Sequence, residues 1–221
     1  MKPSYLLIFS LLALSGAQAL AQDQAAPGAA EVYIVPGIGK HKIPQGVCPQ
    51  PVWPREALRY EIEGVATIRF KLSPDGRVSE AAVARSSGWT ILDDATIRYV
   101  MSCAYTPQQA AEVQGRVLPT QFDWTLEGRR VYAGILPGTC AAVGRFDGFQ
   151  PLDRQASDSH GIKVRFLIDR DGKPRGTKPE GNIDPETADQ VAAYLDTCRF
   201  AYDPQEKGER TDTMHGRVLL R

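Results

Sequence analysis

The chain has 221 residues, 26 basic and 26 acidic, a formal net charge of zero at pH 7, and 43% hydrophobic against 24% charged residues. That is ordinary globular composition and not that of a disordered chain. A neutral chain carries neither the electrostatic footprint of a nucleic-acid binder nor a polybasic segment for anionic lipid.

The first elements concern export. Lys2 gives a short positive start, residues 5–14 form an apolar run, and Ala19-Leu20-Ala21 has the small-x-small form of a cleavage site. This is the three-part layout of a secretory signal peptide, expected over residues 1–21. The apolar run is far shorter than the roughly 20 residues of a membrane-spanning helix. Cleavage would remove Lys2 and leave 25 basic against 26 acidic residues, a net charge of −1. The expectation is a periplasmic protein, exported through the inner membrane of a Gram-negative bacterium, with no stable membrane insertion. Residues 22–42 read as an N-terminal leader containing only Pro27 and Pro36.

A first unit is expected over residues 43–127. Residues 65–72 alternate loosely as a strand, Ser73-Pro74-Asp75-Gly76 is turn chemistry, and residues 78–85 return. Ser86-Ser87-Gly88 breaks that strand. Thr90 suits a helix N-cap, with Asp93 three residues on as an acidic variant of the capping box. Leu92, Ala95, Tyr99 and Cys103 then fall on one helical stripe. Pro107 stops the helix, and residues 117–126 read as a closing strand.

A second unit is expected over residues 131–221. Residues 162–168 form a strand, Asp171-Gly172 turns it, and residues 175–181 return weakly because Pro174 and Pro179 interrupt the pattern. Asp184-Pro185 is a strong helix start, and Ala188, Val191, Leu195 and Cys198 carry the buried stripe. The linker Gly128-Arg129-Arg130 is too short for independent tumbling, so the units are expected to touch.

The two units share wording in the same order, which marks an internal repeat. Cys48 is answered by Cys140, Ile68-Arg69-Phe70 by Val164-Arg165-Phe166, Cys103 by Cys198, and Gly115-Arg116-Val117-Leu118 by Gly216-Arg217-Val218-Leu219. The predicted fold is α+β: two tandem β-β-α-β units, each a small antiparallel sheet with one helix packed on one face. Four cysteines allow three pairings. The repeat points to one bridge per unit, Cys48 with Cys103 and Cys140 with Cys198. Each closes a loop of a little over fifty residues, worth roughly 4 kcal/mol in the loop-entropy account.

The first unit resembles the C-terminal domain of the TonB family of energy transducers. The matching residues are Pro51-Val52-Trp53-Pro54 with Ala57, Gly64-Val65, Asp75-Gly76, Ser86-Ser87-Gly88, Leu92-Asp93 with Ala95, Pro107 and Gly115-Arg116-Val117. The second unit keeps the skeleton but lacks the proline pair and the Ser-Ser-Gly, and reads as a degenerate copy. The resemblance implies a periplasmic module that binds an extended peptide of an outer-membrane or envelope protein by strand addition. It places the binding edge on the closing strand, at Val117, Leu118, Thr120, Phe122 and Trp124. The alternative for that edge is cover by the second unit or by a partner copy in a homodimer. The short leader with few prolines and the cleavable start argue for a relative of the domain and against a force-transmitting arm. Alternative functions are a structural envelope or stress protein, or a divergent energy transducer for transport.

No enzyme site emerges, and no cofactor or metal is expected. His41, His160 and His215 lie apart, each at a loop or strand boundary where a solvated histidine is the default. Asp169-Arg170-Asp171-Gly172 has its glycine too early for a calcium loop. Asp93-Asp94 suits the first turn of a helix through the dipole. Gly37-Ile38-Gly39-Lys40 lacks the spacing of a phosphate loop. Trp53, Trp89 and Trp124 read as core or domain-contact residues.

Overall fold

The computed structural model describes residues 31–33 and 46–221. The signal-peptide reading, most of the leader, His41 and residues 37–40 lie outside the described residues. The elements run β1 (Glu31–Tyr33), α1 (Arg55–Arg59), β2 (Gly64–Leu72), β3 (Val78–Arg85), α2 (Thr90–Met101), α3 (Pro107–Glu112) and β4 (Leu118–Trp124). After them come β5 (Arg130–Val131), β6 (Gly134–Ile135), β7 (Phe146–Pro151), β8 (Gly161–Ile168) and β9 (Pro174–Pro179). The chain ends with α4 (Pro185–Asp196), β10 (Phe200–Ala201), β11 (Glu209–Arg210) and β12 (Thr213–Leu220). The fold is α+β.

Each unit is built on a four-stranded antiparallel sheet, ordered β1-β4-β2-β3 in the first and β7-β12-β8-β9 in the second. The β-β-α-β plan accounts for three strands of each. The fourth, β1 or β7, enters from the N-terminal side and lies outside the closing strand. The sequence pattern did not show these strands, nor the two short helices α1 and α3 that the first unit adds.

Alternation explains the first sheet. Ala66, Ile68 and Phe70 of β2 are buried while Val65 and Arg69 are exposed. The register Ala66↔Phe122 and Phe70↔Leu118 brings the buried positions of β4 onto the same face. That face packs with Leu92, Ala95 and Val100 of α2. In the second sheet Ile162, Val164 and Phe166 of β8 pack with Val191, Tyr194 and Leu195 of α4.

The repeated strings occupy equivalent places. Gly76 and Gly172 turn their hairpins at φ +82° and +73°, and their carbonyls accept from the N–H of Tyr105 and Phe200 at 2.8 and 2.9 Å. A Cβ on either glycine would lie 1.9 Å from the Tyr105 carbonyl or 2.2 Å from that of Phe200. Only glycine fits so close an approach at positive φ. Beside these contacts the disulfides Cys48–Cys103 and Cys140–Cys198 close each unit, with Cα–Cα distances of 4.2 and 4.1 Å.

The helix starts divide. Asp184 caps α4 as its sequence suggests, accepting from the Thr187 N–H at 2.8 Å with Pro185 following. Thr90 is not the cap of α2: Trp89 takes that position without a side-chain bond, and Thr90 is the first helical residue. Asp93 turns back instead, accepting from Ser86 Oγ at 2.5 Å and from Ser87 N and Oγ at 2.7 Å each. It thereby fixes the Ser-Ser-Gly break.

Candidate functional site

The sequence placed the site on the closing strand, β4. Its ladder with β2 is unbroken from Gly64↔Trp124 to Phe70↔Leu118. On its other side, Glu31, Val32 and Tyr33 of β1 pair with Asp123, Phe122 and Gln121. The edge is therefore not open over those three residues, as strand addition to a free edge requires. Among the described residues its cover is the chain's own leader and not a strand of the second unit.

The side chains need a second correction. Leu118, Phe122 and Trp124 are buried in the core, where Trp124 meets Trp53 edge-on at 4.9 Å and Phe122 meets Tyr99 at 4.9 Å. Trp124 Nε1 donates to Thr96 Oγ1 at 2.9 Å, pinning the strand to α2. Thr120 lies on the same inward side, and Val117 is exposed but precedes the strand. Side chains able to meet a partner on the outward face are those of the alternate positions, Pro119, Gln121 and Asp123. Of the residues chosen from sequence, Leu118, Phe122 and Trp124 hold the strand in place.

Among the sheet edges, this one is distinctive. β3 shows register shifts against β2 and holds Glu80 at φ +54°. β9 begins and ends with proline, with Gly176 at φ +59° between them. Such irregularities blunt an edge against pairing. In the second unit the edge equivalent to β4's is covered by β7, which pairs with β12 from Gly216↔Pro151 to Leu220↔Phe146. β7 is anchored by fully buried Phe146 and by Phe149, 5.5 Å from Phe166 and 6.0 Å from Phe200.

A polar cluster between the units was not anticipated. The positions of β8 that alternate with its core residues turn toward the first unit. Lys163 Nζ donates to the Gly88 carbonyl at 2.6 Å and sits 3.6 Å from the centre of the Trp89 ring. Arg165 is held between Glu180 at 2.5 Å and Glu56 at 2.7 Å, and Glu180 also accepts from the Thr90 N–H at 2.7 Å. A carboxylate of the second unit thus caps α2 of the first. The Arg165 bond holds the Glu56 carboxyl below its usual range. Burial pushes the Lys163 ammonium down to about 8, against the attraction of Glu180.

His215 corrects the expectation of a solvated histidine. It is buried, 5.6 Å from Trp89 and 6.0 Å from Tyr132. Burial, followed by the Arg154 and Lys163 charges, pushes it down to about 4. His160 is exposed in a turn. A cleft of about 430 Å³ opens beside this cluster, with Ser86 and Thr90 on one wall and Arg154 and Asn182 on the other. Among the described residues no group of three or more His, Cys, Asp or Glu is placed to hold a metal. No described helix is long and apolar enough to cross a membrane.

No curated protein and no solved structure matches the chain. One family model does, that of the Gram-negative bacterial TonB protein C-terminal, over residues 49–126. The match stops short of the second unit, which shares the sheet order of the first without being matched by the family. Over residues 49–126, then, the chain is similar to the TonB C-terminal family.

Proposed function

We propose that this chain is a periplasmic, non-enzymatic binding module that takes an extended peptide of an outer-membrane or envelope protein as an added strand on β4. The family match supports reading the first unit as a TonB-type periplasmic envelope module; the peptide and its place are our reading. The observation that carries it is the state of the β4 edge. Its ladder with β2 is regular over seven residue pairs, and among the described residues its other side is met at Gln121–Asp123 by the leader. A row of backbone donors and acceptors next to a regular strand is the chemistry of strand addition. The incoming strand runs antiparallel to β4, as both β1 and β7 do to their closing strands. The second unit, a degenerate copy of the first, serves as its rigid neighbour and has its own edge filled by β7. The exported form begins near Gln22.

A photoreactive residue in place of Gln121, on the outward face of β4, tests this in outer-membrane-enriched extract. Adducts should form at 121, map to one extended segment of a partner, and be absent when the probe replaces exposed Arg69 of β2. Equal labelling at both positions, or none at 121, defeats strand addition at β4. N-terminal sequencing of the exported protein checks the Gln22 start.

A further inference from the structure

We propose that the cleft between the units is an oxyanion site that takes the phosphate group of a small phosphate ester; this does not depend on strand addition at β4. The cleft, about 430 Å³, draws its walls from both units and is lined by two cations, Arg154 and Lys163, and two acids, Asp158 and Glu180. Both acids are already neutralised by arginines that do not line it, Glu180 by Arg165 at 2.5 Å and Asp158 by Arg217. The cations have no such partner. Lys163 is fully buried, donates to the Gly88 carbonyl and lies over the Trp89 ring. Arg154 is exposed, and among the described residues neither forms an ion pair. Glu180 and Asp153 attract Lys163 from beyond ion-pair distance, while Arg154 and Arg165 repel it. Arg154 and Lys163 also both push His215 down, so their charges act on one neighbourhood. A buried ammonium without a carboxylate is costly, and an anion seated between it and Arg154 offsets that cost. The low-dielectric wall over Lys163 focuses its field into the cleft.

Two uncompensated cations select a dianion. The Thr90 hydroxyl and the Asn182 amide stand exposed on opposite walls and carry no side-chain hydrogen bond among the described residues. Donors on opposite sides suit a tetrahedral group whose oxygens point apart, where a planar carboxylate can satisfy fewer of them. The first N–H of α2 is not the anchor, because Glu180 already accepts from it. Ala156 and Ile183 complete the lining and leave an apolar wall for the organic part of an ester.

The test uses the exported chain at physiological ionic strength, where non-specific surface attraction is screened. The probes are glycerol 3-phosphate, inorganic phosphate and succinate, with affinity read by calorimetry and position by amide shifts. Glycerol 3-phosphate should bind most tightly, shift the amides of Gly88, Thr90 and Asn182, and leave those of Gln121 and Asp123 in place. Arg154→Ala alters an exposed residue without an ion pair and should weaken binding about tenfold. Lys163→Met keeps the stem against Trp89, removes the charge, and should weaken binding similarly. Arg69→Ala, which removes an exposed charge elsewhere, should change nothing. Absence of shifts at 88, 90 and 182, or equal weakening by Arg154→Ala and Arg69→Ala, overturns the site. Succinate binding as tightly as glycerol 3-phosphate overturns the tetrahedral preference, and inorganic phosphate doing so overturns the ester. If Lys163→Met does not fold, Arg154→Ala alone decides.

Discussion

His215 shows how far a single residue can mislead in a sequence. Nothing local distinguishes it from a histidine at a strand boundary, because the burying surface belongs to Trp89 and Tyr132 of distant segments. The consequence can be measured. With its folded pKa lowered to about 4 from 6.5, the native state resists a proton that the unfolded chain accepts. Stability is therefore full above pH 6.5 and is lost as pH falls toward 4. Linkage puts the loss between pH 7 and pH 5 at about 2 kcal/mol. Urea unfolding at the two pH values should show that loss, and His215→Gln should remove most of it. A slope unchanged by the substitution would place the acid sensitivity elsewhere. Lys163 and Arg165 mislead similarly: alternation with Val164 and Phe166 marks them as facing away from the core, which is right. That the first unit covers this face was not legible.

At the scale of elements, the readable parts were those with strong local chemistry. The hairpins ending in Asp75-Gly76 and Asp171-Gly172, the helix start at Asp184-Pro185 and the apolar stripes of α2 and α4 all had such signals. The outer strands had none. β1 is described over Glu31–Tyr33, too few residues to show alternation, and β7 reads Phe-Asp-Gly-Phe-Gln-Pro, with glycine and proline breaking any alternation. Missing them made β4 look like a bare edge. β4 is in fact paired on both sides, and Phe122 lies buried between Tyr99 and Trp124. Phe122→Pro therefore should not yield a folded protein that merely fails to bind. Loss of the ring alone costs about 3–5 kcal/mol by core-truncation precedent, and the proline distorts the strand as well. Near-ultraviolet circular dichroism of the first unit should collapse. A folded variant would show that β4 tolerates far more than its packing suggests.

For the whole molecule, two disulfides and one polar interface decide whether the units act as one. The bridges lie within units, so oxidised protein should map as Cys48–Cys103 and Cys140–Cys198, with no peptide joining Cys103 to Cys140. Between units the connection runs through Arg165, which is buried and bonded to Glu180 of its own unit and Glu56 of the other. Glu180 in turn caps α2 across the interface, and Leu167 packs against the aromatic cluster of the first unit. Removing the guanidinium leaves the buried Glu180 carboxylate without its cation, while half-exposed Glu56 keeps Lys178 at 3.5 Å. The cost is that of a broken buried pair reduced by solvent screening at Glu56, about 2–3 kcal/mol. That cost falls on the interface and not on either core. The unmodified chain should therefore melt in one calorimetric transition, and Arg165→Ala should melt in two, with Trp89 fluorescence shifting red at the first. Arg165→Met, which keeps the packing of the stem, should lie between them. A single transition in Arg165→Ala with Trp89 still shielded would mean that apolar contact through Leu167 and Tyr60 holds the units together, and that the ion pairs only set their register.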